Sequence, residues 1–407
     1  MQRIFPLQWI LFTLYVSVFA SATAEPLPAA PDKPVPHIAL LLPLNSPALG
    51  AAAEAIHQGV VAAAGMQQSL PVKVYSDYDE TQGIVATYRR AIDSGAVAVV
   101  GPLTRGAIRQ LSDTQTIPVP TLALNIIEGQ SPPKLYFFGM AIEAEARQIA
   151  LLARKQGKKL AYVITSHKPL SQRLQFAFEE QWTASGGTVA REIEYSGDTM
   201  VFADIAATPD SMAFFATDVE DTRTLRPFLP NNLSAYATSR LFAGNHDALV
   251  NFDLQDIHFV DMPWLLHADQ PEVMAYPRAD PPLSIDNERL YALGIDAYRL
   301  ISLLLANQLA SALPLDGVTG KISLNGHTFE REALPGLFVQ GRGQSSDAPV
   351  ALSAPLFPYQ AKSASGVDVA PTLIENATGV NAAPTLIKNA SGVAAPPPIS
   401  AIALPKQ

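Results

Sequence analysis

The chain of 407 residues contains no cysteine. This absence excludes disulfide bonds, thiolate zinc sites, iron–sulfur clusters and cysteine nucleophiles. It also excludes a lipid attached to an N-terminal cysteine, so we expect no outer-membrane lipid anchor. Charged residues are few, at 16%, and their balance is acidic, with a net charge of −9. Nucleic-acid binding requires a positive surface, so we expect no nucleic-acid partner.

The motifs of common enzyme classes are also missing. The seven histidines show no H-E-x-x-H or comparable ligand spacing, so we expect no metal site. The sequence has no G-x-S-x-G elbow, no P-loop and no G-x-G-x-x-G, which removes the usual support for hydrolases, NTPases and dinucleotide-binding enzymes. We therefore expect no enzyme activity and no cofactor.

One near-match to a catalytic motif is interpreted as chance. Ser131 and Lys134 fit S-x-x-K, and residues 323–325 (Ser-Leu-Asn) fit an S-x-N element of penicilloyl serine transferases. That chemistry needs the serine and the lysine one helical turn apart. The two prolines between them disfavour a helix, and K-T-G is absent from the sequence.

Long apolar runs are scarce, and the clearest one lies at the N-terminus. Arg3 precedes an apolar run at 10–20, and residues 22–24 (Ala-Thr-Ala) form a small-x-small cleavage site. The run is shorter than the roughly 20 residues of a spanning helix. We therefore predict a signal peptide at 1–24, export to the periplasm and no transmembrane anchor in the mature chain, with an uncleaved inner-membrane anchor as the alternative.

The remaining chain divides by composition into three parts. Residues 25–36 form a proline-rich linker, and residues 37–342 have a globular composition. Residues 343–407 contain a proline-rich repeat with a period of 13 residues. Solenoid repeats are longer, about 20–50 residues. We therefore predict that this tail is disordered.

The globular part alternates apolar strand patterns with helix patterns. Strands are predicted at 37–44, 72–79, 96–100 and 119–125, separated by helices at 47–65, 81–94 and 103–113. The alternation restarts with helices at 142–156 and 170–185 and strands at 159–165, 188–195, 212–217, 233–237 and 257–260. A long amphipathic helix is predicted at 287–309, followed by a closing hairpin of 321–324 with 337–340. This pattern predicts an α/β fold with two doubly wound, mostly parallel sheets.

Candidate ligand-binding residues follow from this topology. Open α/β sheets bind ligands beyond the carboxyl ends of their strands, near helix N-termini. The predicted residues there are Asn45, Ser46, Gly101, Pro102, Leu103, Thr104 and Asn125 in the first sheet and Thr165, Ser166, His167 and Asp218 in the second. Helix capping would explain Ser46, Thr104 and Ser166 equally well. Asp77 and Asp79 could bind a cation or an amine, or could form a solvated loop.

Several segments resemble known families. IALLLPL (38–44), AVAVVGPL (96–103) and VPTLALN (119–125) resemble the first lobe of type I periplasmic binding proteins. Residues 135–150 and 318–341 resemble the C-terminal domain of the penicillin-binding protein activator (LpoA-like) family. The resemblance covers roughly residues 37–342.

The resemblance implies a two-lobed fold with three crossovers. They would lie near 125–139, 265–279 and 313–320. The first lobe would comprise about 37–130 and 275–315, and the second about 135–270 and 318–342.

The resemblance also implies a function. Family members regulate a class A penicillin-binding protein that builds peptidoglycan, without catalysis of their own. They usually carry a helical-repeat domain and a lipid anchor, whereas here residues 25–36 alone separate the expected cleavage site from the first strand. We therefore expect the two-lobed core to contact the synthase. A solute receptor that binds an amino acid or a similar small molecule in the inter-lobe cleft, and an envelope enzyme, remain as alternatives.

Overall fold

The computed structural model describes residues 34–67, 70–76, 83–114 and 116–346. The expected signal peptide, most of the linker and the expected disordered tail lie outside the described residues, as do Asp77 and Asp79. The predictions made for those segments stay predictions.

Strands and helices alternate along most of the described chain. The strands are β1 His37–Leu41, β2 Val72–Tyr75, β3 Ala96–Val100, β4 Thr121–Ala123, β5 Leu135–Phe138, β6 Leu160–Ser166, β7 Thr188–Tyr195, β8 Ser211–Phe215, β9 Ser234–Ala237, β10 Ile257–Asp261, β11 Leu315–Asp316, β12 Lys321–Asn325, β13 Thr328–Glu332, β14 Leu334–Val339 and β15 Arg342–Ser345. The helices are α1 Gly50–Gln67, α2 Ile84–Asp93, α3 Arg105–Ser112, α4 Ile142–Lys155, α5 Pro169–Ala184, α6 Val219–Leu225, α7 Pro263–Leu266, α8 Pro271–Met274, α9 Ile285–Leu305 and α10 Leu309–Ala312. Short 3-10 helices lie at Met200–Phe202, Arg226–Phe228, Ser239–Leu241 and Ala248–Leu254.

The strands form two sheets with the same core order. In the first sheet the order is β11-β12-β13-β5-β4-β3-β1-β2, and β1 to β5 are all parallel. In the second it is β15-β14-β10-β9-β8-β6-β7, and β6 to β10 are all parallel. Each parallel part has the strand order 2-1-3-4-5, which is one of the doubly wound orders, and the alternation of strands and helices predicts a doubly wound sheet.

The predicted closing hairpin of 321–324 with 337–340 is wrong. β12 pairs with β13 in the first sheet, whereas β14 pairs with β10 and β15 in the second. Asn325 pairs with Thr328 across a two-residue turn, and Gly326, with a φ of +59°, occupies its first position. Glycine at the first position of a two-residue turn favours a type II′ hairpin, which pairs these neighbouring strands locally in preference to a distant pairing.

The sheets also correct the expected lobe bounds. β5 and β11 to β13 belong to the first sheet, so residues 135–138 and 318–332 lie in the first lobe rather than the second. The chain crosses between the sheets after Phe138, after Asp261 and at Ala333. The last crossover therefore lies beyond the expected segment 313–320.

Both faces of the first sheet are covered by helices. One face packs on α1 and α9, and the other packs on α2 and α3. The backbones of α1 and α9 approach each other at two glycines. A Cβ on Gly59 would lie 2.0 Å from the Tyr291 carbonyl oxygen, and one on Gly294 would lie 2.2 Å from the Ile56 carbonyl oxygen. These positions require glycine because any side chain would collide with the facing backbone.

The second sheet is covered in the same way on both faces. One face packs on α4 and α5, where the ring of Phe178 stacks on Phe214 at 4.2 Å. The other face buries Phe259 against Phe338, with ring centroids 4.5 Å apart. Among the described residues, no helix is both long and apolar enough to cross a membrane.

Candidate functional site

The candidate residues lie at the carboxyl ends of the parallel strands, as the topology predicts. The order of the strands reverses between β1 and β3 in the first sheet and between β6 and β8 in the second. Loops that leave neighbouring strands in opposite directions open a crevice at such a position. Each lobe therefore has one crevice.

In the first lobe, two of the candidate side chains cap helices. The Oγ atom of Ser46 accepts hydrogen bonds from the N–H groups of Ala48 and Leu49 at 3.2 and 3.0 Å, just before α1. The Oγ1 atom of Thr104 accepts one from the Ala107 N–H at 3.2 Å, at the start of α3. Their observed contacts are therefore those of N-cap residues.

The other first-lobe candidates hold loops together. Asn125 donates from Nδ2 to the Leu103 carbonyl at 3.3 Å and accepts at Oδ1 from the Ile126 N–H at 2.9 Å. The Pro102 carbonyl accepts from the Leu124 N–H at 2.9 Å. Exposed Asn45 donates to the Ser76 carbonyl at 3.3 Å.

Gly101 has a backbone role next to these loops. Its φ is +101°, and a Cβ there would lie 2.1 Å from the Leu41 carbonyl oxygen. The residue therefore lets β3 end close against β1.

In the second lobe, a small cavity brings two candidates together. Ser166 and Asp218 line a cavity of about 40 Å³ at the ends of β6, β8 and β9. The sequence analysis did not single out Lys168 and Arg240, which also line it. Thr165 is buried, and His167 pairs with Glu194 at 2.6 Å instead of lining the cavity. Lys168 could have been found from its place two residues after the strand end.

The charges around this cavity are paired. The Lys168 ammonium bonds to the Asp218 carboxylate and to Asp221 at 2.9 Å, which raises the pKa of Lys168. Burial acts to raise the pKa of Asp218, but the hydrogen bonds from Lys168 and the Asp221 N–H bring it below its usual 3.8. Asp218 also caps α6. Lys168 and Asp218 are therefore both charged at neutral pH.

A buried polar network joins the two lobes where the chain crosses between them. Arg289 of α9 bonds to Asp261 at 2.7 Å and to the carbonyls of Ser239 and Phe242 at 3.1 and 3.0 Å. Sequence reasoning missed this network. The available signal was a charged residue, Arg289, within the apolar pattern of a long helix.

A second ion pair lies beside the last crossover. Arg331 of β13 bonds to Glu145 of α4 at 3.1 Å, and Glu145 also accepts the Ser239 N–H at 3.0 Å. Burial raises the pKa of Glu145 above its usual 4.5, while the charge of Arg331 acts in the opposite direction. The Gln148 amide bonds to both the N–H and the carbonyl of Ala333, at 3.0 and 2.6 Å.

The segment that follows Asp261 is also held to the first lobe. Arg278 lies 3.7 Å above the ring of Trp264, whose indole N–H bonds to Glu288 of α9 at 2.6 Å. The Trp264 backbone N–H bonds to the Val318 carbonyl at 2.9 Å. The crossovers after Asp261 and at Ala333 are thus fixed by side-chain contacts.

A larger cavity lies away from the strand ends. It has about 360 Å³ between α2 and α3 and is lined by Val85, Tyr88, Ile92, Leu111 and other residues. The Tyr88 hydroxyl already bonds to Thr121 at 2.9 Å. We regard the crevice at β6 and β8 as the better site, because it combines charged groups with a strand-end position. Among the described residues, no three histidine, aspartate or glutamate side chains come together as metal ligands.

Comparisons with known proteins identify relatives of the whole two-lobed part. A family model described as "LppC putative lipoprotein" matches residues 25–212 and 205–333. The penicillin-binding protein activator LpoA of Pantoea ananatis is 26% identical over 306 residues, which cover 62% of this chain and 44% of the relative. The chain spans about half the length of the curated relatives it matches.

Solved structures share the two-lobed fold. A structure described as a "putative branched-chain amino acid ABC transporter" from Chromobacterium violaceum is 37% identical with a TM-score of 0.66, and the match covers 74% of this chain and 99% of that one. Full-length LpoA from Haemophilus influenzae is 24% identical with a TM-score of 0.66, over 76% of this chain and 59% of that one. The fold is therefore that of type I periplasmic binding proteins, as the resemblance implies.

Proposed function

Because the chain belongs to the LppC family, we propose that its two-lobed core binds a class A penicillin-binding protein and stimulates peptidoglycan synthesis. The observation that carries the proposal is the family match, which covers residues 25–212 and 205–333 and so includes most of the two-lobed core. Relatives named penicillin-binding protein activator LpoA support the same assignment. The chain would act in the periplasm and without chemistry of its own.

The crossover network supports this proposal physically. A binding surface that extends over two lobes requires a defined lobe orientation. Arg289 and Arg331 bridge the lobes through buried carboxylates, and these contacts favour one orientation. A partner that contacts both lobes would then meet a preformed surface, which reduces the ordering cost of binding.

Direct binding is the first test. The full chain would be titrated against the class A penicillin-binding protein of the same bacterium, with a class B enzyme as the matched control. We expect saturable binding to the class A enzyme and much weaker binding to the class B enzyme. No binding to the class A enzyme at micromolar concentration would exclude activation by direct contact.

A solute receptor is the second candidate function. The Chromobacterium violaceum structure, described as a "putative branched-chain amino acid ABC transporter", favours it at 37% identity. A receptor should show a large rise in melting temperature with a free branched-chain amino acid. The activator proposal predicts no such rise.

A further inference from the structure

A buried hydroxyl group without a partner in the described part of the chain belongs to Ser166, a residue that lines the second-lobe cavity. Ser166 is only 6% exposed, and its Oγ atom is fully enclosed without a hydrogen-bond partner among the described residues. The Ser166 backbone N–H is satisfied by the Ser171 Oγ atom at 2.8 Å. Buried hydroxyl groups are rarely left unpaired, so this atom points to a bound group in the cavity it lines.

The N-terminus of α5 opens into the same cavity. The helix has 16 residues, and the Lys168 side chain makes no capping hydrogen bond to it. Leu170 and Ser171 belong to its first turn and line the cavity. First-turn N–H groups have no acceptor within the helix, and the helix dipole makes this end favourable for an anion.

The side-chain charges around the cavity also favour an anion. Lys168 and Arg240 bring two positive charges to its lining, and Asp218 brings one negative charge. The Asp218 carboxylate is already bonded to Lys168 and to the Asp221 N–H. The Asp221 carboxylate, just outside the lining, also bonds to Lys168 and offsets its charge. Arg240 is then the cation of the lining that remains to attract a single negative charge.

The cavity volume limits the size of that anion. One water needs about 10–15 Å³ of such a cavity. The 40 Å³ observed therefore accommodates roughly three water-sized atoms. A carboxylate group has three heavy atoms and one charge, whereas phosphate and sulfate are larger and more highly charged.

We propose that this cavity binds a carboxylate, with the rest of the ligand outside it. The Ser166 hydroxyl and the Leu170 and Ser171 N–H groups would donate hydrogen bonds to its oxygens. The carboxylate belongs either to a free small acid or to the end of a peptide chain. The proposal goes beyond the proposed activation of a synthase and does not depend on it.

The test follows backbone amide NMR shifts of the full-length protein with four probes. Sodium acetate stands for a free acid, and sodium chloride at matched ionic strength is its control. N-acetyl-dialanine with a free carboxylate stands for a peptide end, and its C-terminal amide is the control. We expect saturable shifts of the Leu170 and Ser171 amides with one or both carboxylates and none with the controls. Tighter binding of acetate indicates a free acid as the ligand, and tighter binding of N-acetyl-dialanine indicates a peptide end.

Two serine substitutions make the test specific. Ser166→Ala should weaken carboxylate binding by about tenfold or more, because a hydrogen bond to a charged group is lost. Its melting temperature should not fall, since the removed hydroxyl has no protein partner. Ser185→Ala, at the other end of α5, should leave the affinity unchanged. Equal binding by wild type and Ser166→Ala, or the absence of a carboxylate-specific shift, would overturn the proposal.

Discussion

The guanidinium group of Arg289, in the first lobe, lies 2.7 Å from the carboxylate of Asp261, at the end of β10 in the second lobe. The two side chains are only 10% and 1% exposed. The pair therefore links the lobes within a buried environment at a crossover. Removing one partner would leave the other charge buried without compensation, which is strongly destabilising.

Arg289→Met tests this link. Methionine keeps much of the apolar length of arginine but leaves Asp261 without its cation, so we expect a loss of about 3–5 kcal/mol in the free energy of unfolding. The control is Arg147→Met, whose partner Glu180 lies 3.0 Å away in an exposed pair. That change should cost at most about 1 kcal/mol. Urea denaturation measures both, and equal losses would contradict the assigned role of Arg289.

The contact between α1 and α9 gives a second prediction. Gly59→Ala places a Cβ 2.0 Å from the Tyr291 carbonyl, so the helices must separate and we expect a loss of about 2–3 kcal/mol or more. Gly65→Ala, on the same helix, meets no atom within 4 Å and should gain up to about 1 kcal/mol from helix propensity. Thermal unfolding of the two variants measures both changes in stability. A stable Gly59→Ala protein would show that the helices are not in close contact.

His258 gives a prediction about pH. Burial lowers the pKa of His258 below its usual 6.5, and Lys158 acts in the same direction while Asp256 opposes it. The unfolded chain therefore binds a proton near pH 6.5 that the folded protein excludes. Stability should fall as the pH drops below about 6.5, by at most about 1.4 kcal/mol per pH unit from this group.

His258→Phe should make the stability curve flatter between pH 7.5 and the folded-state pKa, because the titrating group is removed while an aromatic ring remains next to Tyr236. Tyr236→Phe is the control, since it loses the hydroxyl but keeps the histidine, and its pH dependence should match wild type. Unfolding free energies measured across this pH range decide the matter. If the unfolding free energy of His258→Phe depended on pH as steeply as that of wild type, His258 would not be the titrating group.

The sequence predicted elements whose causes are local. The strands at 96–100 and 188–195 have the predicted bounds because their apolar patterns end at glycine or polar residues. The long helix begins at Ile285, two residues before its predicted start, because the Ser284 side chain accepts the Asn287 N–H and caps it. Serine at this position is a recognisable N-cap that the apolar pattern alone does not reveal.

Contacts between distant residues could not be predicted in this way. The pairing of β13 with β5 joins Phe329 to Phe138, and no local pattern specifies it. The ion pair of Arg331 with Glu145 is similarly remote in sequence. For the site, the strand-end rule pointed to Ser166 and Asp218, which line the same cavity, and their role as ligand contacts stays a prediction. It could not indicate whether a hydroxyl caps a helix, as in Thr104, or lines a cavity, as in Ser166.

The central claim is that the two-lobed core stimulates a class A penicillin-binding protein. The most direct measurement is the rate of glycan-chain synthesis by that enzyme, purified from the same bacterium, as increasing amounts of the full chain are added. The chain alone should produce no glycan, and the enzyme rate should rise to a plateau as binding saturates. An unchanged rate at concentrations where the two proteins are shown to be bound would contradict the claim.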